Sequence, residues 1–167
     1  VIDEHVAAGE RVPLRIVWAL YDLRVRGRQW DWIHEHVEAD KLAFGDDAML
    51  RYAQAAALHE QGRLAEARDA ILEPFAAATL GSKTSTPPSI RSDPERRRAI
   101  TMLAYRIFEA LGDGRALSAL DGLLLQIPDD VEALRLRSDL ALSQGRLDAA
   151  NDDAFHLLTR HSRDAGD

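Results

Sequence analysis

The apolar positions of this chain recur at the spacing of an α-helix. Leu120, Leu123 and Leu124, for example, fall on one stripe of a helix. The stretch 128–150 predicts one helix, a tight turn at Gly145 and a second helix. Alanine, leucine and arginine are abundant and threonine is scarce, which favours helix over strand. The sequence therefore predicts an all-α protein.

This helix–turn–helix unit repeats along the chain at a fixed step. The turn sequence Gln-Gly-Arg-Leu occurs at 61–64 and again at 144–147. Four pairs of apolar residues share one separation in the sequence: Ala116 and Ala150, Leu120 and Ala154, Leu123 and Leu157, and Ile100 and Leu134. That separation matches the step of about 34 residues between helical hairpins that is the signature of a tetratricopeptide array.

The step divides the chain into four units separated by one insertion. The segment 1–12 is expected to be the tail of a preceding helix or a linker, and 162–167 a frayed tail. Between them the sequence predicts an array over 13–161, with an inserted loop at 82–96 and units at about 13–46, 47–81, 97–130 and 131–161.

The inserted loop is polar and rich in proline, serine and threonine. A loop of this length is either functional or disordered, and the sequence leaves both alternatives open. Its end predicts a helix start, because Pro94 suits the first helical position and Ser92 with Glu95 matches a capping box. Asp46 or Asp47 is expected to cap the helix that opens the second unit.

The chain resembles the tetratricopeptide repeat (TPR) family over about residues 13–161. The last two units carry the clearest match, with the small residues Ser138 and Ala150, the turn at Gly145 and Pro128 closing the third unit. Small residues at these places let paired helices approach closely.

Several positions depart from the family pattern. Arg51, Gln54 and Arg137 stand where apolar residues are usual, and Trp32-Ile33 occupies the small-residue site of the first unit. Gly27 is predicted to end the first helix, and Pro74 is expected to kink or shorten the helix that contains it. A looser helical-repeat family is the alternative.

The TPR resemblance implies a right-handed α-solenoid of about four repeats with a concave, partner-binding face. In that family the first helix of each pair lines the groove. The aromatic residues implied there either contact a partner or pack between repeats, and the charged ones either contact a partner or are simply solvated. The implied groove residues are Arg15, Trp18, Asp22, Tyr52, His59, Arg98, Thr101, Tyr105, Arg135 and Asp139.

Composition narrows the functions to be considered. The formal net charge of −7 opposes general binding of nucleic acid, although a local basic patch at 96–98 stays open as an alternative to a solvated helix turn. No apolar run approaches the roughly 20 residues that span a membrane, so direct membrane insertion is not expected. The chain begins at Val1 without methionine, so we interpret it as a fragment, and its compartment, cytoplasmic or periplasmic, stays open.

Candidate chemistry is sparse. With no cysteine, thiol catalysis and cysteine-based zinc sites are excluded. His34 and His36 are two positions apart and point away from each other on a helix, so they are not expected to share a metal. Of the carboxylate pairs, 129–130 is expected to cap a helix and 152–153 to be solvated. No catalytic or nucleotide-binding motif occurs, so the sequence predicts neither an enzyme nor a cofactor.

These observations favour a non-catalytic scaffold that holds a protein or peptide segment on the concave face of a TPR-like array. Its composition is typical of GC-rich bacterial genes, and bacterial TPR arrays often serve in secretion, envelope assembly or exopolysaccharide export. Two alternatives remain: a regulatory or sensor domain that binds a small ligand or peptide signal, and an accessory domain of a larger enzyme.

The repeat pattern makes a direct prediction about Ala150. Replacing it with tryptophan is expected to overpack the contact between the last two helices and lower the free energy of unfolding by about 1–3 kcal/mol or more. Thermal denaturation measures the effect. An unchanged melting transition would mean that Ala150 does not lie in a helix–helix contact.

Overall fold

The computed structural model describes residues 12–80 and 93–164, and within these ranges the chain is helical, with no strand. This confirms the predicted all-α class. The helices in these ranges are α1 (Leu14–Arg26), α2 (Trp30–Phe44), α3 (Ala48–Glu60), α4 (Leu64–Leu80), α5 (Pro94–Ala110), α6 (Arg115–Gln126), α7 (Val131–Ser143) and α8 (Leu147–Asp164).

The described chain forms two compact units. Their boundary falls between Ile100 and Thr101, inside α5. Helices α1 to α4 belong to the first unit, and α6 to α8 belong to the second.

The turns within the later helix pairs each contain one residue in the left-handed region. Gly62, Gly112 and Gly145 have φ of 74°, 64° and 71°. The amide that follows donates to a carbonyl in the last turn of the first helix, as Arg63 does to Leu58 at 2.9 Å. Glycine accommodates this backbone conformation because it has no Cβ.

In the first turn the left-handed residue is Arg28, with φ of 53°, and Gly27 has an ordinary negative φ. Gly27 does follow the last residue of α1, as predicted, but it does not supply the special backbone conformation. Gln29 donates its amide to Arg24 at 2.9 Å, so the turn has the same hydrogen bond as the glycine-containing turns. Arg28 and Gly62 are separated by the same step as the apolar pairs, which places the two turns in the predicted register.

The pair α3–α4 recurs as α7–α8 at a constant offset along the chain. Ala48, the first residue of α3, corresponds to Val131, the first residue of α7. Both helices are 13 residues long. The residue before each is an aspartate cap: Asp47 accepts from the amide of Met49 at 2.8 Å, and Asp130 from that of Ala133 at 3.0 Å. Both predicted caps are confirmed, and the chain is repeat-like in its local structure.

The core of the first unit lies between α1, α2 and α3. Val17 and Tyr21 of α1 pack against Ile33 and Val37 of α2 and against Leu50 of α3, all at most 2% exposed. Tyr21 donates its hydroxyl to Asp40 at 2.6 Å, so its polar tip is satisfied. Burial and this carboxylate raise the pKa of the Tyr21 hydroxyl above its usual value.

In the second unit the core draws on α5 to α8. Phe108, Leu120 and Leu134 are buried, and Ala150 is 2% exposed. The guanidinium of Arg115 lies 4.8 Å from the centroid of the Phe108 ring, which covers one face of that aromatic group.

Pro74 lies inside α4 without ending it. The helix is 17 residues long and continues to Leu80, so the expected shortening is not observed. Ala77 and Ala78 beyond the proline are buried, and their packing holds the last turns in place.

The structure also describes the start of α5. Asp93 accepts from the amide of Arg96 at 3.1 Å, and Pro94 is the first helical residue, as predicted. Ser92, and with it the predicted capping box and the loop residues 82–92, lie outside the described residues. Helix α8 extends to Asp164, past the expected end of the array at 161.

The left-handed conformation of Arg28 has a measurable cost. Replacing Arg28 with glycine is expected to raise the free energy of unfolding by about 0.5–1 kcal/mol, because a residue with a Cβ is strained in this region. The ion pair of Arg28 with Glu60 at 3.3 Å is exposed, so its loss subtracts little. Chemical denaturation measures both this variant and Gly62→Ala, a matched control that is expected to lose about 1 kcal/mol. A loss of stability in Arg28→Gly would contradict the assignment.

Candidate functional site

The first unit contains an open cleft of about 470 Å³ between α2, α3 and α4. Its floor is apolar and comes mainly from buried residues, whereas its walls carry both signs of charge. The lining residues are Ile33, His34, Val37, Glu38 and Lys41 of α2; Arg51, Gln54, Ala57 and Leu58 of α3; Arg63 of the turn; and Glu66, Asp69 and Ala70 of α4.

A short polar chain crosses this cleft from α2 to α3. The side-chain amide of Gln54 donates to Glu38 at 2.6 Å. Lys41 donates to the carbonyl oxygen of Gln54 at 3.2 Å and lies 3.6 Å from Asp46. These bonds hold Gln54 across the cleft and fix the Glu38 carboxylate at its wall.

The arginines of the cleft are each held by carboxylates. Arg51 donates its Nε to Asp46 at 2.9 Å and also lies 3.0 Å from Glu73 of α4. The Arg51 hydrogen bond holds the pKa of Asp46 below its usual value. Arg63 forms a two-pronged pair with Glu66 at 2.8 and 2.5 Å, and this bond lowers the pKa of the Glu66 carboxyl.

The second unit contains a smaller open cleft, of about 220 Å³. It lies between α6, α7 and α8, which are the counterparts of α2, α3 and α4. The lining residues are Leu117, Asp121, Arg137, Ala141, Arg146, Ala149, Asp152 and Asp153.

Arg137 of α7 occupies the centre of this second cleft and bridges two helices. Its guanidinium donates to both oxygens of Asp153 on α8, at 2.8 and 2.5 Å, and to Asp121 on α6 at 2.9 Å. The hydrogen bond to Asp153 is the main cause of the raised pKa of Arg137. A cation from the protein's own chain therefore occupies part of this cleft.

The two clefts are equivalent position by position. When the sequence of α3 is aligned with that of α7 and the same alignment is extended to the neighbouring helices, every lining residue of the second cleft corresponds to a lining residue of the first. The correspondence extends from the turn arginines, Arg63 and Arg146, to the acidic residues of the second helix, Asp69 and Asp152. The same surface therefore occurs twice, with different side chains at its centre, a glutamine in the first cleft and an arginine in the second.

The expectation that the carboxylate pair 152–153 is solvated is wrong for its second member. Asp153 was expected to be solvated, but it is 4% exposed, because the helical turn of α8 points it towards α7. Arg137, which stood out as a polar residue in an apolar position, is the partner that makes this burial tolerable. The signal present in the sequence is the equal spacing of Asp121, Arg137 and Asp153 along the chain.

The structure separates the predicted groove residues by burial. Arg15, Arg135 and Asp139 are exposed. Asp22 pairs with Arg26 at 3.0 Å, and His59 lies 3.8 Å from Glu60. None of the ten predicted residues lines either described cleft. Four of the predicted groove residues are half-buried: Trp18, Asp22, His59 and Arg98.

Three predicted groove residues are buried: Tyr52 is 7% exposed, Thr101 is 1% and Tyr105 is 3%. As they stand they offer no surface to a partner, because each first helix uses this face for packing within the protein. Burial, together with the charges of Glu109 and Asp139, raises the pKa of Tyr105 to about 12, so its phenol is protonated at neutral pH.

Trp18 also has a packing role. Its indole N–H donates to Asp47 at 2.9 Å, and the same carboxylate oxygen caps α3. Trp18 thereby ties α1 to the start of α3. Of the two alternatives left by the sequence, packing describes Trp18 and Tyr105.

The two histidines of α2 lie in different surroundings. The ring of His36 stacks on Trp32 with centroids 4.3 Å apart, and its Nδ1 lies 2.8 Å from the Trp32 carbonyl oxygen. The guanidinium of Arg24 lies 4.4 Å from the centroid of the Trp32 ring. His34 is exposed and borders the first cleft.

The basic cluster at the start of α5 is not fully solvated. Arg96, Arg97 and Arg98 are all half-buried, and Arg96 lies 3.8 Å from Asp93. Across the residues that the structure describes, no group of three histidine or acidic side chains is placed to hold a metal ion. No described helix is both long and apolar enough to cross a membrane.

Comparisons with protein-family models, with curated proteins and with solved structures find no match to this chain. The indications of function are therefore the geometry of the two clefts and of the exposed surfaces.

The bridge in the second cleft predicts an unequal response to mutation. Arg137→Leu is expected to lower the free energy of unfolding by about 2–3 kcal/mol, because it leaves the Asp153 carboxylate buried without its partner. Asp121→Ala is the control and is expected to cost less than about 1 kcal/mol, because Asp121 is half exposed.

Chemical denaturation of these variants and of the double variant Arg137→Leu/Asp153→Leu completes the cycle. The double variant should recover much of the loss, because no unpaired charge remains. Equal losses for Arg137→Leu and Asp121→Ala would show that burial of Asp153 does not govern the energetics.

Proposed function

We propose that this protein is a non-catalytic interaction scaffold that holds a protein or peptide segment on a TPR-like array of helical hairpins. In the proposed arrangement the hairpins stack as a right-handed solenoid, and the partner lies along its concave face. The proposal rests on one observation: the same helix–turn–helix unit, with the same aspartate cap, helix length and left-handed turn glycine, occurs twice in matching register along the chain. Repeated units of this kind suit an extended partner, which meets similar contacts in succession.

Exposed side chains of the second unit support this proposal. Arg135 and Asp139 project from α7 into solvent, in the positions that the TPR resemblance assigns to the partner. On α8, Leu147, Phe155 and Leu158 are 62%, 70% and 70% exposed and lie on one face of the helix. Large apolar residues grouped on an exposed face are typical of protein–protein contacts.

The cellular context belongs to the same proposal. A composition rich in alanine, leucine, arginine and aspartate is typical of GC-rich bacterial genes. We infer a role in a bacterial secretion, envelope-assembly or exopolysaccharide-export system, where such arrays recruit partners. Fold-level analogy is the support for this assignment.

The volume of the first cleft favours one further candidate, a regulatory domain that binds a small ligand or peptide signal. A space of about 470 Å³ lies within the range of small-molecule sites. Its open shape and charged walls, however, suit a side chain of a larger partner better than an enclosed ligand. The predicted groove residues Trp18, Tyr52 and His59 are not among the residues that line it.

A pull-down with the purified protein tests the scaffold function. We expect a defined partner to be captured at fixed stoichiometry and to be lost in the double variant Arg135→Glu/Phe155→Asp, which changes exposed residues and should leave the fold intact. The matched control is Leu125→Asp on α6, because Leu125 is 85% exposed. Circular dichroism verifies that all variants fold.

Equal capture by the wild type and by Arg135→Glu/Phe155→Asp would contradict the assigned surface. Capture of no protein at any stoichiometric level would contradict the scaffold function itself.

A further inference from the structure

We propose that the first-unit cleft binds a guanidinium group, the side chain of an arginine presented by a partner chain. The guanidinium would occupy the position that Arg137 takes in the second cleft. This inference depends on the proposed scaffold function only for the source of the arginine, because the cleft itself is defined by residues of this chain.

The second cleft shows what chemistry this surface holds. There a guanidinium lies between a carboxylate of the preceding helix, Asp121, and a carboxylate of the following helix, Asp153. A planar fork of N–H donors between two carboxylates is a strong and geometrically specific arrangement. The protein's own Arg137 therefore acts as an internal stand-in for the ligand.

The first cleft keeps the counterpart of one of the two carboxylates that hold Arg137, together with a second acidic wall residue, and lacks the central arginine. Glu38 on α2 corresponds to Asp121, and Asp69 on α4 corresponds to Asp152. At the place of Arg137 stands the shorter, neutral Gln54, and at the place of Asp153 stands Ala70. Both replacements remove bulk from the centre, in agreement with the larger volume of about 470 Å³ against about 220 Å³.

The charge balance of the first cleft favours a cation. Its lining holds three carboxylates, on Glu38, Glu66 and Asp69, and three cations. Asp46 and Glu73 lie outside the lining but pair with Arg51 within it, and Arg68 outside the lining pairs with Asp69, so this region has one more negative than positive charge. A bound anion would have to displace these carboxylates from the arginines they hold.

The cations already present leave the acidic walls accessible. Lys41 is mostly covered and lies at the long distances of 3.5 Å from Glu38 and 3.6 Å from Asp46. The side chains of Glu38, Glu66 and Asp69 are 66%, 58% and 66% exposed, so each can accept further hydrogen bonds from a ligand. Guanidinium fits this role better than ammonium because its fork can contact two carboxylates at once.

Titration of the protein with N-acetyl-arginine methylamide tests the inference directly. We expect saturable amide chemical-shift changes in ¹⁵N NMR spectra at cleft residues such as Ala57, Leu58 and Ala70, with one site per chain. N-acetyl-norleucine methylamide, which lacks the charge, should bind about tenfold more weakly or not at all. Equal shifts with both probes, or shifts centred outside the first cleft, would overturn the proposal.

Two exchanges between the clefts make the test specific. Gln54→Arg supplies the first cleft with an internal guanidinium and should weaken binding of the probe about tenfold. Arg137→Gln/Asp153→Ala gives the second cleft the two central residues of the first and should raise the stoichiometry from one to two. Glu38→Gln, which removes an exposed charge and keeps the side-chain shape, should weaken binding if the double exchange fails to fold. Unchanged affinity in both Gln54→Arg and Glu38→Gln would overturn the proposal.

The two proposals can fail separately. If a partner is captured and Gln54→Arg captures it equally well, the scaffold function stands and the guanidinium site is overturned for that partner. If the probe binds the first cleft and no partner is captured, the site stands and the scaffold function fails.

Discussion

The structure depends on the close approach of paired helices across small side chains. Ala57 of α3 and Ala67 of α4 are at most 2% exposed, as are Ala141 and Ala150 of α7 and α8. Alanine at these contacts brings the helix axes together, and a bulkier residue would separate them. The tight turn with one left-handed residue then fixes the register of the two helices, because it determines where the second helix begins relative to the end of the first.

The clefts are a consequence of this packing. Small residues bring the backbones of three helices together, and the longer polar side chains beside them are left facing a shared hollow. The same backbone arrangement produces different outcomes in the two units: Arg137 occupies one cleft through its pair with the buried Asp153, and Gln54 leaves the other wider. A buried ion pair is weak evidence for stability, and we infer that Arg137 and Asp153 act mainly by fixing how α7 and α8 align.

The turns and caps show how far local chemistry determines structure. Asp47 and Asp130 cap their helices as their positions before the apolar stripes predict. Arg28 shows the opposite case, since a residue ill suited to the left-handed region occupies it because the packing of α1 against α2 requires the turn there. Pro74 is a second case in which packing overrides a local preference, because the buried residues beyond it keep α4 helical.

The sequence by itself determined the helices, their pairing into hairpins, the caps and most of the turn residues, because these depend on periodicity and on contacts a few residues apart. It did not determine which face of each first helix is exposed, so Tyr52 and Tyr105 were assigned to a groove although they are buried. Nor did it account for Arg137. Only the tertiary structure decided these points, because burial and charge pairing depend on which helices come to lie side by side, and a pattern within one helix does not contain that information.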